Sequence, residues 1–385
     1  MNTTQRNRLG LTGAGAVAAL VLSGCGGPAD NPSSAEGSGG PEELTPVSLQ
    51  LQWSAQAQFA GYYAALDQGY FEEAGLDVTI LEGGADIVPQ DVLASGDADY
   101  AIAWVPKVLG SIEQGANITN VAQIFERSGT LQIAMADSGI DSPEDFAGKR
   151  IGSWGYGNEW ELFAGMQRAG VELSDIELVQ QAFDMNGFLS RDIDAAQAMT
   201  YNEYAQVLES TDPDTGELYR PEDLNVIDWN EEGTAMLQDA VWADAGRLAE
   251  DEQYADTTVQ FLKAVVKGWG YAKDNPEEAA SIVTENGSTL GQSHQLWMTN
   301  ETNKLIWPAT NGIGVLDEAA WENTVEIATG TKNETGATII SGAPPEDAYT
   351  TEYIEQALAE LEEEGVDTRG EDFAPIEVAL AEGGN

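Results

Sequence analysis

Six aromatic residues fall at predicted strand ends or in the turns just after them, where their ring faces could bind a flat ligand. Stacking on such rings, with a few directed hydrogen bonds, holds a small heteroaromatic molecule in an apolar cleft. Glu203 adds a carboxylate that could accept a hydrogen bond from a ring amine. For any single aromatic a place in the core is an equal alternative, but the set favours binding. With three neighbouring amides, the predicted ligand-binding residues are Trp53, Gln58, Tyr62, Trp104, Trp154, Tyr156, Asn158, Tyr201, Asn202 and Glu203.

Residues 151–159 predict a strand, a glycine-rich turn and the start of a helix. The first backbone N–H groups of a helix can hold an anion. Glu159 and Glu161 already place negative charge there, however, and no Lys or Arg lies within the turn. This pattern disfavours sulfonate, nitrate and phosphate ligands and favours an aminopyrimidine. Glu159 itself is interpreted as a partner of the helix dipole rather than as a ligand contact.

Cysteine and histidine each occur once, as Cys25 and His294. A disulfide within the chain, a metal site built from several cysteines or histidines, and a His-based catalytic triad are therefore not indicated. His294 is predicted on a helix surface. We expect no metal, no cofactor and no enzymatic activity. A hydrolase built on paired carboxylates stays open, because 66 acidic residues make chance pairs inevitable.

The first residues indicate export. Arg6 and Arg8 precede an apolar stretch over 9–22 that runs into Leu22-Ser23-Gly24-Cys25, the pattern of a signal peptide (1–24) that ends in a lipobox. Cys25 is then the lipid anchor, and residues 25–46, rich in Gly, Pro and Ser, are a flexible tether. A short signal anchor is the alternative, but the stretch is shorter than the ~20 residues of a spanning helix. We expect an extracytoplasmic protein on the outer face of the membrane or in the periplasm.

The composition is strongly acidic, with a formal net charge of −50. So large a charge argues against nucleic acid and anionic membrane surfaces as partners. Contact with the membrane is expected through the N-terminal lipid only, and the chain is expected to be a monomer. An acidic, lysine-poor surface also suits a salty medium, where salt screens self-repulsion. An ordinary acidic secreted protein is the alternative.

The body of the chain predicts an α/β fold. Alternating short strands and helices are typical of a mostly parallel sheet, and the length favours two lobes. The predicted strands are 47–53, 76–81, 100–104 and 118–125, and the helices between them are 60–74, 88–94 and 105–114.

An internal similarity predicts the second lobe. Residues 93–101 (LASGDADYA) resemble residues 188–196 (FLSRDIDAA), each a helix end, an acidic turn and a strand of small residues. Chance similarity of a common element is the alternative. The later helices, predicted at 257–272, 276–285, 289–305 and 316–329, are expected to return to the first lobe. The predicted boundaries are 47–136 with 241–385 for lobe 1 and 137–240 for lobe 2.

Three segments resemble the substrate-binding proteins related to yeast thiamine-pyrimidine synthase, a superfamily that also holds sulfonate and taurine receptors. They are 51–63 (LQWSAQAQFAGYY), 69–78 (GYFEEAGLDV) and 94–99 (ASGDAD). The likeness covers roughly 47–328. It implies a type 2 periplasmic-binding-protein fold with two α/β lobes, a hinge and a ligand cleft that closes like a clamshell.

The resemblance also implies a function. Near relatives bind thiamine pyrimidine precursors or riboflavin and deliver them to the permease and ATPase subunits of an ABC importer. By motif, Trp53 matches the family's aromatic at the end of the first strand, and Tyr201 to Glu203 match a Tyr-x-Glu element that contacts the pyrimidine. Relatives often have Trp-x-Pro-Asn where this chain has Trp53-Ser54-Ala55-Gln56. Riboflavin, and sulfonate, taurine or nitrate, therefore remain alternative ligands, and a purely structural lipoprotein is a remote one.

The synthase itself depends on a cysteine-rich iron motif and an active-site histidine. This chain has one cysteine, assigned to lipid, and one histidine in a late helical segment. The departure supports a receptor rather than an enzyme.

Overall fold

The computed structural model describes residues 44–384, which form two five-stranded sheets and thirteen α-helices. The predicted signal peptide, Cys25 and most of the predicted tether lie outside the described residues. The strands are β1 (Thr45–Gln50), β2 (Leu76–Leu81), β3 (Tyr100–Trp104), β4 (Ile118–Gln123), β5 (Thr130–Met135), β6 (Arg150–Ser153), β7 (Glu177–Gln180), β8 (Ala195–Met199), β9 (Leu224–Asp228) and β10 (Asp239–Asp244).

The helices lie around the two sheets. Those before β10 are α1 (Ala60–Asp67), α2 (Tyr70–Glu73), α3 (Pro89–Ala94), α4 (Val105–Glu113), α5 (Trp160–Ala169), α6 (Asn186–Leu189) and α7 (Glu203–Leu208). Those after it are α8 (Ala245–Glu250), α9 (Glu252–Asp274), α10 (Pro276–Glu285), α11 (Gln292–Ile306), α12 (Glu318–Gly330) and α13 (Glu352–Glu363). No helix between residues 44 and 384 is both long and apolar enough to span a bilayer.

The two sheets share one design. The first has the order β2-β1-β3-β10-β4 and the second β7-β6-β8-β5-β9. In each, four strands run in the same direction and the fourth strand in the order, β10 or β5, runs antiparallel to both neighbours. The central strands β3 and β8 are buried along their whole length, which explains their unbroken runs of small and apolar residues. The fold is thus the predicted pair of α/β lobes.

The internal similarity seen in the sequence has a structural counterpart. Asp99 and Asp194 each precede the central strand of a sheet and accept a hydrogen bond from the backbone N–H of the neighbouring strand. The donors are Ser48 on β1 (2.9 Å) and Arg150 on β6 (2.8 Å). Each aspartate therefore fixes the register between two equivalent strands, which accounts for its recurrence in the two segments.

Helix α9, the longest of the helices that follow β10, packs closely against α1 beside the first sheet because both helices carry a glycine at the contact. Helix α9 packs along α1, and a Cβ atom on Gly268 would lie only 2.1 Å from the carbonyl oxygen of Gly61. A side chain at Gly268 would force the two helices apart. Helix α12 differs from the expectation, because it contacts α4 beside the first sheet and α5 beside the second.

Several predicted boundaries need correction. The single helix predicted over 60–74 is two helices, since Gly69 takes a left-handed conformation (φ 74°) that breaks it. The strand at 130–135, placed in lobe 1 by the predicted range 47–136, pairs with β8 and β9 in the second sheet. Its own sequence carries no signal for which sheet it joins. The strands at 76–81 and 100–104 and the helix at 276–285 are confirmed, and the lobe boundaries themselves stay a prediction.

Two connections join the sheets, residues 124–129 from β4 to β5 and 229–238 from β9 to β10. They are hydrogen-bonded to each other. The Gln238 side chain accepts from the Gly129 N–H (2.8 Å), and Asn230 Nδ2 donates to the Ser128 carbonyl (2.8 Å). Both connections meet the sheets at the edge where the parallel strands end. The carboxyl ends of the two sets of parallel strands therefore face each other, the place where open α/β sheets bind ligands.

Candidate functional site

A buried carboxylate, Asp239, lies at the edge of the first sheet that faces the second. It begins β10 and stands opposite Trp104, the last residue of β3. Three side-chain N–H groups donate to it: Gln52 Nε2 and Trp104 Nε1 to Oδ1 (2.6 and 2.7 Å) and Gln58 Nε2 to Oδ2 (3.0 Å). This arrangement holds a negative charge at a fixed position inside the molecule.

Burial raises the pKa of Asp239 to about 6, and the bonds from Gln58, Trp104 and Gln52 counteract part of that rise. The carboxyl group is therefore mostly ionised at neutral pH. Sequence analysis did not identify Asp239. The available signal was a single acid within the otherwise apolar and amide-bearing stretch 235–243, a pattern that indicates a paired, buried charge.

Two tyrosines from opposite sides lie near this carboxylate. Tyr62 on α1 and Tyr201 after β8 are both buried, and burial followed by the charge of Asp239 raises the pKa of each. The Tyr62 hydroxyl is buried without a well-aligned hydrogen-bond partner among residues 44–384, although the Trp269 side chain lies close enough to oppose part of the rise in its pKa. A polar ligand group that reached this hydroxyl would supply a better-aligned bond.

Rings from the two lobes also meet at this edge. Trp53, in the segment after β1, contacts Phe183, which follows β7, with ring centroids 4.8 Å apart. Phe183 in turn stacks against Trp154 at the end of β6, at 6.4 Å and 18°. The Trp154 indole nitrogen is buried without a partner in the described part of the chain. The sequence predicted both tryptophans but not Phe183, whose position after an edge strand gave no signal.

The predicted acceptor Glu203 lies on the other side of Tyr201, at the start of α7. Its Oε2 accepts from the Met199 N–H (3.0 Å) and its Oε1 from Asn202 Nδ2 (2.9 Å). Burial raises the pKa of Glu203 to about 7. Both oxygens are thus engaged within the second lobe, whereas the charge of Asp239 acts on both Tyr62 and Tyr201. The ligand-binding role of Glu203 and Asn202 stays a prediction.

His294 is not on a helix surface, as the sequence predicted, but is 1% exposed. Its Nδ1 lies 2.9 Å from Glu209 Oε2 and its Nε2 lies 3.0 Å from Asn202 Oδ1. The sequence pattern failed because the polar face of α11 that carries His294 packs against the second lobe rather than facing solvent. The histidine therefore joins α11 to the end of α7.

The glycine-rich turn after β6 carries three of the predicted ligand-binding residues, Trp154, Tyr156 and Asn158, but it does not bring all three to one place. Asn158 Nδ2 donates to the Gly155 carbonyl (2.7 Å), and Glu159 accepts from the Gly157 N–H (2.9 Å) at the start of α5. Tyr156 is 86% exposed and has no ring partner between residues 44 and 384. Its predicted part in binding is not supported by contact with the other aromatics.

A lysine from the other lobe approaches this turn. Lys107 on α4 has its Nζ 4.9 Å from the centre of the Trp104 ring, and a Cβ on Gly157 would lie 3.7 Å from its Cγ. Burial lowers the pKa of Lys107 to about 8, although Glu159 and Asp239 act to raise it. The sequence argument against anionic ligands rested on the absence of a basic residue in the turn. The fold supplies one from 50 residues away in the chain.

No group of three or more His, Cys, Asp or Glu side chains within residues 44–384 is arranged to hold a metal ion. The arrangement instead offers ring faces, one central carboxylate, unpaired polar atoms and one amine. These groups suit non-covalent recognition of a small polar aromatic molecule.

Comparison with known proteins identifies a family and several relatives. Residues 56–279 match the family described as NMT1/THI5 like. The chain is 25% identical over 247 residues to a formylaminopyrimidine-binding protein of Halalkalibacterium halodurans, which covers 64% of this chain and 72% of that protein. It is 21% identical over 361 residues to the riboflavin-binding protein RibY of Chloroflexus aurantiacus, covering 87% and 95%.

Among solved structures, the fold is similar to that of a putative sulfonate ABC transporter periplasmic sulfonate-binding protein from Methylobacillus flagellatus. The TM-score is 0.61 at 17% identity, with 88% of this chain and 99% of that chain covered. At this identity the likeness establishes the fold alone.

Proposed function

The chain belongs to the NMT1/THI5-like family, and from this premise we propose that it is a solute-binding protein of an ABC importer. Its ligand is an amine-bearing heteroaromatic of the kind that serves as a thiamine pyrimidine precursor. The two lobes close on the ligand and deliver it to a permease, which an ATPase drives. The similarity to a formylaminopyrimidine-binding protein supports this ligand class.

One observation carries the choice of ligand: Asp239 presents a buried, ionised carboxylate beside ring-bearing side chains of both lobes. A flat ring with an exocyclic amine can stack on Trp53 or Trp154 while the amine donates to the carboxylate. The carboxylate accepts three hydrogen bonds and can accept one more, which a ligand without a donor would not supply. An aminopyrimidine meets both requirements.

We propose a receptor and not an enzyme. The only histidine of the chain is held by Glu209 and Asn202 and is unavailable as a general base. Asp239 already accepts three hydrogen bonds, which stabilise its charge and suit recognition better than proton transfer.

The proposed location is extracytoplasmic, on the outer face of the membrane or in the periplasm. The lipobox sequence at Cys25 supports a lipid anchor, and residues 26–43 would then separate the body from the membrane. The protein would act as a monomer that touches the membrane only through this lipid and meets the permease by diffusion on its tether.

Two observations favour other ligands of the same fold. The similarity to RibY extends over most of the chain, which supports riboflavin as the main alternative. The ammonium group of Lys107, which forms no ion pair or hydrogen bond with any residue in 44–384, supports a ligand with an anionic group, such as a sulfonate. The negative charges of Asp239 and Glu159 near Lys107 oppose the second alternative.

Calorimetric titration of the mature protein with a formylaminopyrimidine, riboflavin, taurine and nitrate tests the proposal. We expect the pyrimidine to bind most tightly. Trp53→Ala should weaken that binding by the ~1–3 kcal/mol that loss of a stacking ring costs, with the fold retained. Tight taurine binding together with no response to either heteroaromatic would overturn the assignment.

A further inference from the structure

Phe183 has an unusual position for a large apolar side chain. Its ring contacts Trp53 at 4.8 Å and Trp154 at 6.4 Å, yet Phe183 is 44% exposed. One side of the ring thus lies against two tryptophans and the other faces solvent. Trp53 belongs to the first lobe and Phe183 to the second, so the contact crosses the cleft.

The backbone that carries Phe183 is weakly held. Gln181 is fixed to Gln197 by two hydrogen bonds (2.7 and 2.9 Å), and α6 begins at Asn186. Between these points the N–H groups of residues 182–184 donate no hydrogen bond to any part of the chain from 44 to 384. Segments with few backbone hydrogen bonds open at low cost in free energy. Phe183 can therefore move without disturbing β7 or α6.

The two tryptophans are held more firmly. Trp154 donates its backbone N–H to Gln197 (3.1 Å) and its carbonyl accepts from Gln180 (2.5 Å). The Trp53 carbonyl accepts from the Gly83 N–H (2.8 Å). A mobile ring therefore covers two fixed ones, and the indole nitrogen of one of them, Trp154, is buried without a partner among residues 44–384.

We propose that Phe183 occupies the stacking place of the ligand on Trp53, and that the ligand binds by displacing it. This inference rests on the proposed function, since it takes the ligand to be a flat heteroaromatic. The rings of Phe183 and Trp53 meet at a tilt, with 55° between their planes, and the part of Trp53 that Phe183 covers cannot stack on a ligand at the same time. Phe183 then sets which ligands bind, because only a ring that stacks better than phenylalanine and also donates to Asp239 can replace it.

The consequence is that Phe183 lowers the apparent affinity. A contact between two aromatic rings that must break before binding reduces the fraction of molecules that are competent to bind. Removing the ring should raise the association rate constant and the affinity for a formylaminopyrimidine by about two- to tenfold, the factor that corresponds to the strength of an aromatic pair. Phe183→Leu should have a smaller effect, since it keeps an apolar side chain of similar length.

Stopped-flow titration of Phe183→Ala with a formylaminopyrimidine, followed by tryptophan fluorescence, measures these rates. Val226→Ala is the matched control, because Val226 is 43% exposed in the second lobe on β9, the edge strand opposite β7. Faster association and tighter binding by Phe183→Ala alone support displacement. Weaker binding would mean that Phe183 is a fixed wall of the site, and unchanged rates would mean that it does not cover Trp53. Either result overturns the inference.

A second measurement needs no ligand and so separates this inference from the proposed function. Acrylamide quenches tryptophan fluorescence in proportion to the exposure of the ring. The contribution of Trp53 is obtained by comparing the wild type and Phe183→Ala each with the same protein that also carries Trp53→Phe. Phe183→Ala should increase this quenching in the ligand-free protein. If the wild type binds no pyrimidine, the proposed function fails while the quenching still decides whether Phe183 covers Trp53. An unchanged quenching constant would overturn the inference by itself.

Discussion

At the scale of single residues, two buried carboxylates compete for the same role. Burial raises the pKa of both Asp239 and Glu203, so the pKa values alone do not separate them. Their neighbours do. The two oxygens of Glu203 accept from groups one and four residues away in the chain, whereas Asp239 collects donors from segments more than a hundred residues away. The nearby donors to Glu203 stabilise the start of α7, whereas the distant donors to Asp239 bring several segments of the chain together at one site.

We therefore expect Asp239→Asn to weaken pyrimidine binding more than Glu203→Gln. The change keeps the side-chain volume but removes the charged acceptor, which should cost about 1.5–3 kcal/mol of binding free energy, the worth of a hydrogen bond to a charged group. Calorimetry on both variants measures it. Glu301→Gln serves as control, because one oxygen of that buried acid is held by Asn300 and Lys304 on its own helix, α11. A larger loss in Glu203→Gln would restore the sequence-based assignment.

Binding should also depend on pH. Protonation of Asp239, whose pKa is about 6, removes the charge that attracts a ring amine, so affinity should fall as pH decreases through about 6. Of the groups facing Asp239, Tyr62 and Tyr201 have raised pKa values and stay neutral there, and Lys107, with a pKa of about 8, stays charged. Titrations between pH 5 and pH 7.5 would show the dependence in the wild type and not in Asp239→Asn. The same slope in both proteins would exclude Asp239 as its cause.

The raised pKa of Asp239 also affects the stability of the ligand-free protein, but with the opposite dependence on pH. The folded carboxyl group of Asp239 binds its proton more tightly than an unfolded aspartate, whose pKa is about 3.9. The folded state therefore holds more protons between pH 4 and pH 6, and the contribution of Asp239 to the free energy of unfolding falls as pH rises through that window.

At the scale of elements, the contact between α7 and α11 shows how a polar helix can be buried. Both ring nitrogens of His294 face oxygen atoms, on Glu209 and Asn202, and Trp297 one turn later donates to the Thr200 carbonyl (3.0 Å). These contacts attach α11 to the second sheet, although α11 follows the connection 229–238 that returns the chain to the first sheet. Their polar character explains why the apolar periodicity of α11 did not predict its burial.

His294→Ala should lower the free energy of unfolding by about 1–3 kcal/mol, because it leaves the buried carboxylate of Glu209 without its partner and removes one of the two donors to Asn202 Oδ1. Urea unfolding followed by circular dichroism measures the change. Gln292→Ala, at an exposed position of the same helix, controls for the loss of a side chain in α11. Equal urea midpoints for the two variants would show that the buried contact contributes nothing.

At the scale of the whole molecule, net charge is the dominant feature. With 66 acidic and 16 basic residues, the folded chain repels itself, and salt screens that repulsion over distances that shrink from about 10 Å at 0.1 M to about 3 Å at 1 M. The melting temperature should therefore rise between 0.1 and 1 M sodium chloride at pH 7. The rise should be smaller at pH 4, where many carboxylates are protonated. A melting temperature that does not change with salt at pH 7 would contradict this.

The sequence by itself determined the local elements and the kind of surface. The alternation of short strands and helices identified β2 and β3, the helical pattern of the later segments identified α10, and the repeated acidic turn identified the equivalent central strands. Each of these signals lies within about ten residues, the range over which a backbone conformation and its side-chain periodicity are set. The aromatic residues at strand ends followed from the same patterns.

The tertiary structure alone decided which residues meet. Strand β5 lies in the second sheet because of its pairing with β8 and β9, and no pattern within six residues encodes a partner 60 or more residues away. Asp239, Phe183, Lys107 and His294 gained their surroundings in the same way, from sheet order and from helix α11 reaching the second sheet. Burial and electrostatic environment are properties of the packed molecule, so the sequence could propose the residue types of the site but not the carboxylate at its centre.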